Sequence, residues 1–102
     1  MTPEGKITAA IVRSLKKRRL WYLKVHGGPF QKAGIPDFLI LSEGRALWVE
    51  VKSPDGSLTP LQIVTMRQLV AAGCQTTTVR SIEEFDNWIT GVVSDGNDSK
   101  CG

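Results

Sequence analysis

Two acidic residues and a lysine stand at the margins of two apolar stretches, where charged side chains are unexpected. In PDFLILSEGRALWVEVK, Asp37 immediately precedes the run FLIL, while Glu50 and Lys52 fall at the end of the run ALWVEVK. An ionised group in apolar surroundings is unfavourable unless a counter-charge, a hydrogen bond or a metal ion compensates it. These three side chains are therefore the first candidates for chemistry that depends on charge.

The spacing of the three residues predicts that they converge if the two stretches form a β-hairpin. An even-length turn centred on Glu43 and Gly44 sets Asp37 directly opposite Glu50, with Cβ atoms about 4.5–5.5 Å apart. Lys52 then points to the same sheet face as Glu50, because side chains alternate along a strand. A one-residue bulge would instead turn Asp37 to the other face.

Two carboxylates this close favour a cation between them. Without one, their repulsion makes one carboxyl group take up a proton. Hard divalent ions such as Mg²⁺ and Mn²⁺ bind carboxylate oxygens, and a neighbouring lysine is able to stabilise phosphoryl charge or orient an attacking water. The alternative is a plain ion pair between acid and lysine at a sheet edge. The opposition of Asp37 to Glu50 favours a metal and phosphate site.

The elements that would position these residues follow from hydrophobic spacing and turn residues. Thr2 and Pro3 are typical of a helix start, and later segments show strand or helix patterns. The predicted elements, in order, are a helix over residues 3–18, strands over 20–26, 37–41 and 46–53, a helix over 60–72, a strand over 76–79 and a helix over 82–90. This αβββαβα order predicts the α/β class, with a mixed β-sheet flanked by helices.

Two capping boxes mark the starts of the later helices. Thr59 and Gln62 form the first, with Pro60 at the first helical position, and Ser81 and Glu84 form the second. In such a box the side chain of the third helical residue bonds back to the main chain of the cap. The box therefore gives Gln62 a purely structural explanation.

Length and composition predict a single domain over residues 1–93 and a flexible polar tail over residues 94–102. No apolar run approaches the roughly 20 residues that cross a bilayer, and the N-terminus lacks a signal pattern. A cytoplasmic protein without membrane contact is expected. Cys74 and Cys101 are too few for a disulfide framework or a cysteine zinc site.

Positive charge is concentrated in one short segment, RSLKKRR. The net charge is +3, and five of the thirteen basic residues lie within these seven positions: Arg13, Lys16, Lys17, Arg18 and Arg19. Such a block can neutralise nucleic-acid phosphates, although a solvated helix end favoured by the helix dipole explains it equally well. Lys24 and Lys32 are further candidates for contact with a DNA backbone, with solubility as the alternative.

The ordered set of these residues resembles the PD-(D/E)XK nuclease superfamily and, more narrowly, its small stand-alone virus-type replication-repair nuclease (VRR-NUC) domains. The matching pieces are Glu4 in the first helix, GIPD at 34–37, EVK at 50–52, and Gln62 after KSPDGSLTPL. The resemblance runs over residues 3–89, nearly the whole chain. It implies a restriction-endonuclease-like α/β core.

The resemblance also implies a role for each matched residue. The ligands of Mg²⁺ or Mn²⁺ would be Asp37, Glu50, the main-chain carbonyl of Val51 and Glu4. Lys52 would be the catalytic lysine, and Gln62 would position water or that lysine. Small stand-alone members look like homodimers that cut branched DNA, including four-way (Holliday) junctions, whereas longer relatives act on flaps. Branched DNA and a second copy of the chain are therefore the expected partners.

Other interpretations remain open at this point. A non-catalytic module with the same fold would bind nucleic acid through the basic segment without cutting it. A nuclease of this fold could instead cut flaps or duplex DNA, and a restriction-type enzyme would cut one defined sequence. Glu4 is also explained as an acid favoured at a helix N-terminus. For Gln62, the capping role and the catalytic role are expected to exclude each other.

Overall fold

The computed structural model describes residues 1–25 and 33–93. Its elements are α1 (Pro3–Lys17), β1 (Trp21–Lys24), β2 (Phe38–Ser42), β3 (Arg45–Val51), α2 (Pro60–Ala71), β4 (Gln75–Val79) and α3 (Ile82–Val93). The predicted αβββαβα order is confirmed. No helix in this part of the chain is long and apolar enough to cross a membrane. The predicted tail over residues 94–102 lies outside the described residues.

The four strands form one mixed sheet in the order β1-β2-β3-β4. The first three strands are antiparallel neighbours, and β4 runs parallel to β3. In the β2–β3 hairpin, Phe38 lies opposite Val49 and Ser42 lies opposite Arg45, which leaves a two-residue turn. Glu43 (φ 52°) and Gly44 (φ 77°) both adopt positive φ, as the favoured hairpin turn requires. The predicted turn centre and register are therefore confirmed.

One face of the sheet packs against α1 and α3 and forms the hydrophobic core. We call it the core face, and define it by the side chains of Ile40, Val49 and Val51. All ten core side chains are apolar and at most 2% exposed: Ile11, Leu15, Phe38, Ile40, Leu47, Val49, Val51, Val79, Phe85 and Ile89. The two helices each supply a pair of residues four apart, which share a helix face.

The opposite face, which we call the second face, is covered differently. Glu50 points to it because its neighbours Val49 and Val51 point into the core. The helix α2 contacts β4 at one edge of the sheet and reaches Glu50 through Gln62. Thr65 is the buried residue of α2. On the second face, Gln62 of α2 therefore contacts the charged Glu50 of β3.

The last helix is longer than predicted, ending at Val93 instead of near residue 90. Val92 and Val93 pack against the core, and the guanidinium of Arg45 donates to the main-chain carbonyl of Val92. These tertiary contacts stabilise an additional turn that the local pattern does not reveal. The strand β3 is shorter than predicted and ends at Val51, although the N–H of Lys52 still bonds the carbonyl of Val79 at 3.0 Å.

Candidate active site

The buried acid of the site is Glu50, near the end of β3. Its residue exposure is 4%, and it is the only buried charged residue in the described part of the chain. Its Oε2 accepts a hydrogen bond from Nε2 of Gln62 at 3.1 Å and lies 3.7 Å from Nζ of Lys52. Oε2 is thus approached by two protein donors, whereas Oε1 accepts no hydrogen bond from the described residues.

The second acid, Asp37, stands immediately before β2. Its Oδ2 accepts the N–H of Val51 at 2.8 Å, and its main-chain carbonyl accepts the N–H of Val25 at 2.7 Å. The carboxylate of Asp37 therefore reaches across the hairpin to the main chain directly after Glu50. The hairpin thus brings Asp37 and Glu50 together, as the sequence predicted.

The segment leading to Asp37 is held against α2 by close packing at Gly34. This residue has φ +88°, and a Cβ built on it would lie 2.8 Å from Oγ1 of Thr65 and 3.0 Å from Cγ of Leu61. A larger side chain would therefore push the segment away from the helix. The glycine of GIPD therefore lets the segment before Asp37 approach α2, the helix whose Gln62 contacts Glu50.

The two carboxyl groups are electrostatically strained. The pKa of Glu50 is raised from 4.5 to about 7, chiefly by burial and then by the neighbouring charge of Asp37, with Lys52 opposing the shift. Burial also raises the pKa of Asp37, while the hydrogen bond from Val51 and the charge of Lys24 lower it. The local positive charge is therefore too small to balance both acids.

Glu4 lies near this pair without joining it. It is exposed in the first turn of α1, and its charge raises the pKa of both Asp37 and Glu50. Within residues 1–25 and 33–93, no three Asp, Glu, His or Cys side chains are grouped closely enough to hold a metal ion together. The prediction that Glu4 completes a carboxylate set stays a prediction.

The donor set nevertheless fits a divalent cation. Asp37 and Glu50 carry incompletely balanced negative charge at the same place, and carboxylate oxygens are the donors that Mg²⁺ and Mn²⁺ favour. In a strand, the N–H and C=O of one residue face the same neighbour. The carbonyl of Val51 therefore faces the side from which Asp37 reaches its N–H, where it would serve as a third oxygen ligand.

Gln62 caps α2 and also contacts an acid of the site. Its Oε1 accepts the N–H of Thr59 at 2.9 Å, its own N–H donates to Oγ1 of Thr59 at 3.1 Å, and its Nε2 donates to Glu50. The cap does not occupy the whole side chain, because an amide has a separate acceptor and donor, so Gln62 remains free to contact the site while its catalytic role stays a prediction. The contact it makes is with the acid Glu50, not with Lys52.

The basic segment lies at the other end of α1 from the acids. Its five members, Arg13, Lys16, Lys17, Arg18 and Arg19, are all exposed. A helix rises about 1.5 Å per residue, so Arg18 lies about 20 Å from Glu4 along α1. Three of the five line a cleft of about 610 Å³ between α1 and α3.

One member of the basic segment is partly neutralised within the protein. Arg18 forms an ion pair of 3.3 Å with Asp86 of α3 and donates to the hydroxyl of Ser14. Of the two isolated lysines, Lys24 is half-buried in β1 and acts on the pKa of Asp37. Lys32 lies outside the described residues. The sequence suggested DNA contact or solubility for Lys24 and did not reveal its effect on the pKa of Asp37.

Comparison with solved structures identifies the class of fold. One structure described as "VRR_NUC domain" superposes with a TM-score of 0.77 and 22% sequence identity, covering 90% of this chain and 99% of that one. Another, described as "VRR_NUC domain protein", gives a TM-score of 0.70 and 20% identity over 92% of this chain and 90% of that one. A scan against protein-family models finds no match, and a search of curated proteins finds no relative.

The chain therefore has a nuclease-like α/β fold, a mixed four-stranded sheet flanked by helices. More particularly, it has the fold of VRR_NUC domains over most of its length. The resemblance that the sequence motifs predicted is confirmed at this level. At 20–22% identity the likeness concerns the fold, and the activity has to be argued from the residues themselves.

Proposed function

We propose that the protein is a metal-dependent endonuclease that hydrolyses phosphodiester bonds in branched DNA, with four-way junctions as the preferred substrate. The observation that carries the proposal is the buried Glu50, which lies beside Asp37 and 3.7 Å from Nζ of Lys52. Crowding two acids with raised pKa values destabilises a protein and is typical of catalytic sites. A binding module would gain nothing from it.

Each residue of the site has a chemical role in this proposal. Asp37, Glu50 and the Val51 carbonyl would hold Mg²⁺ or Mn²⁺, which when bound would polarise the phosphodiester and lower the pKa of a water. Lys52, beside Glu50, would stabilise negative charge on the phosphoryl oxygens. The oxygen of water bonds to phosphorus, the bond to one deoxyribose oxygen breaks, and that oxygen takes up a proton.

The position of the basic segment supports a substrate that extends away from the cut. Along α1, Arg13 to Arg18 lie about 13–21 Å from Glu4, which places them beyond a phosphate held at the acids. Duplex DNA advances about 3.4 Å per base pair, so the segment would contact phosphates roughly four to six base pairs away. Lys24, near Asp37, would contact the backbone close to the cut, and Lys32 remains a further candidate. A branched substrate offers a duplex arm for this contact.

A homodimer is the assembly that the exposed apolar side chains favour. The second face carries Trp21 opposite Leu41, and Leu23 beside them, at 43–55% exposure. They lie on β1 and β2, whereas α2 covers the sheet from β4. The helix α2 itself carries further exposed apolar residues: Leu61, Ile63, Val64 and Val70. A second copy would cover such a surface, and a two-fold dimer would place two sites on one junction.

The test is a cleavage panel over duplex, flap, fork and four-way junction DNA with Mg²⁺ or Mn²⁺. We expect junction cleavage by the wild-type protein and a loss of at least 100-fold in Lys52→Ala. The control is Lys6→Ala, an exposed lysine two residues from Glu4 and hence on the opposite side of α1. It should cut normally.

Three outcomes would contradict parts of this proposal. Equal cutting by Lys52→Ala and wild type would remove the lysine from the chemistry. Salt-sensitive binding without metal-dependent cleavage would identify a non-catalytic binding module. Cleavage confined to flaps, or to one duplex sequence, would replace the junction with that substrate while leaving the catalytic residues in place.

A further inference from the structure

The cap of α2 is in direct contact with the proposed catalytic acid. Thr59 bonds Gln62 twice, through its main-chain N–H to Oε1 at 2.9 Å and through its Oγ1 to the Gln62 N–H at 3.1 Å. Since a main-chain N–H only donates, the amide oxygen must face Thr59. The amide nitrogen is thereby turned toward Oε2 of Glu50, which it reaches at 3.1 Å.

We propose that Thr59 is a positioning residue for catalysis: it fixes the amide of Gln62 so that Nε2 restrains the carboxylate of Glu50. This inference rests on the proposed nuclease function. Oε2 of Glu50 is held from two directions, by Gln62 and by Lys52. The carboxylate therefore keeps one orientation, in which Oε1 stays clear of hydrogen bonds from the described residues and is available to a cation.

A second cap in the same protein separates this role from ordinary helix stabilisation. At the start of α3, the N–H of Glu84 donates to Oγ of Ser81 at 3.0 Å, and Oε1 of Glu84 accepts the N–H of Arg80 at 2.7 Å. The predicted second capping box is therefore only half formed, because Glu84 bonds back to the residue before the cap and not to Ser81 itself. Only Gln keeps a spare donor, and only at α2 does that donor meet a buried acid.

The experiment compares Thr59→Ala with Thr59→Ser and with Ser81→Ala, the matched cap at α3. Loss of either cap should lower the melting temperature by about 4–8 °C. Thr59→Ala should also slow single-turnover junction cleavage and weaken Mn²⁺ binding measured by calorimetry, each about 10-fold or more, with DNA affinity unchanged. Thr59→Ser should restore both, and Ser81→Ala should change neither.

A spectroscopic readout keeps this test independent of turnover. In the NMR spectrum of the ¹⁵N-labelled wild type, one proton of the Gln62 side-chain amide should have a shifted resonance and exchange slowly with water, because it is bonded to Glu50. Thr59→Ala keeps the main-chain N–H that Oε1 accepts but loses the Oγ1 that holds the main chain of Gln62 against Thr59. The proton should therefore exchange faster and lose its shift in Thr59→Ala, whereas Ser81→Ala should preserve the signature. An unchanged Gln62 signal in Thr59→Ala, or equal cleavage by Thr59→Ala and Ser81→Ala, would overturn the inference.

The failure of this inference and the failure of the proposed function have different signatures. If the wild-type protein cuts no DNA, the nuclease proposal fails, while the amide signal still decides whether Thr59 orients Gln62. If the wild type cuts and Thr59→Ala cuts equally well, the nuclease stands and the positioning role is rejected. Should Thr59→Ala not fold, Thr59→Gly takes its place, because Gly is tolerated at a helix N-cap and also lacks the Oγ1 that holds Gln62.

Discussion

The two faces of the sheet differ in what they bury. The core face buries ten apolar side chains against α1 and α3. The second face buries the charged Glu50 and the polar Thr65 and leaves Trp21, Leu23 and Leu41 exposed. The same strand β3 serves both, with Val49 and Val51 on one side and Glu50 on the other. Buried apolar packing is thus concentrated on one face, and the other face carries the unfavourable burial of Glu50, which the proposed function explains by catalysis.

The sharpest test of this difference between the two faces is Asp37→Asn, a change in the proposed active site. The amide oxygen of Asn can still accept the N–H of Val51, so the hairpin should keep its geometry. The negative charge is lost, and cleavage of four-way junctions should fall about 1,000-fold or more while far-ultraviolet circular dichroism stays unchanged. Residual cleavage within a factor of ten of the wild type would show that Asp37 is not a ligand.

The complementary change on the core face is Phe85→Ala. Phe85 is fully buried, and removing its ring should lower the free energy of unfolding by about 3–5 kcal/mol. This is a large share of the roughly 5–15 kcal/mol of a small domain. At a temperature where the variant remains folded, its rate of cleavage should match that of the wild type. Denaturant titration measures the free energy of unfolding, and single-turnover kinetics measure the rate of cleavage. A loss of activity in folded Phe85→Ala would show that packing on the core face also affects the site on the second face.

The pH dependence of stability tests the strain at Glu50. Its pKa is about 7 in the folded protein against 4.5 ordinarily, so the folded state binds the proton more tightly than the unfolded state. The metal-free protein should therefore lose up to about 3 kcal/mol as pH rises from 4.5 through 7. Glu50→Gln should remove this loss, and its advantage in melting temperature should grow toward pH 8.

The control for the pH experiment is Glu83→Gln, a change at an exposed acid of α3. Its melting temperature should follow the wild type at every pH. Adding Mn²⁺ at pH 8 should stabilise the wild type and have little effect on Glu50→Gln, because the variant lacks one ligand. A wild-type stability that rises between pH 5 and 8 would contradict the assignment of strain to Glu50.

The smallest expected effect concerns the exposed apolar patch. Trp21→Lys or Leu41→Lys should shift the protein from dimer to monomer in sedimentation velocity, with the secondary structure of the monomer retained, since both side chains are about half exposed. Asn87→Lys, at an exposed position of α3, should leave the dimer intact. A wild-type protein that sediments as a monomer at high concentration would remove the homodimer from the proposal.

The hairpin was predictable because its register depends on local chemistry. A glycine at the second turn position and alternating strands on either side fix which residues face each other. The turn at Glu43 and Gly44 is where the sequence indicated it. Helix starts were predictable for the same reason, since Thr2 and Thr59 cap the helices they precede.

The parts that sequence reasoning missed depend on distances between segments remote in the chain. The dual bonding of Gln62 requires α2 to lie beside β3, and no local pattern gives that separation. The additional turn of α3 depends on core packing and on Arg45, 47 residues away from Val92. The capping pattern at Thr59 was visible in the sequence, but its meaning for Glu50 emerges only from the tertiary arrangement.

The most direct measurement of the central claim is a crystal structure of the protein soaked in Mn²⁺, with anomalous difference density computed at the manganese edge. The account predicts one peak per protomer, within about 2.5 Å of oxygens from Asp37, Glu50 and the Val51 carbonyl, and no peak in Asp37→Asn. Density that is flat between Asp37 and Glu50, in crystals where Mn²⁺ is bound elsewhere, would contradict it.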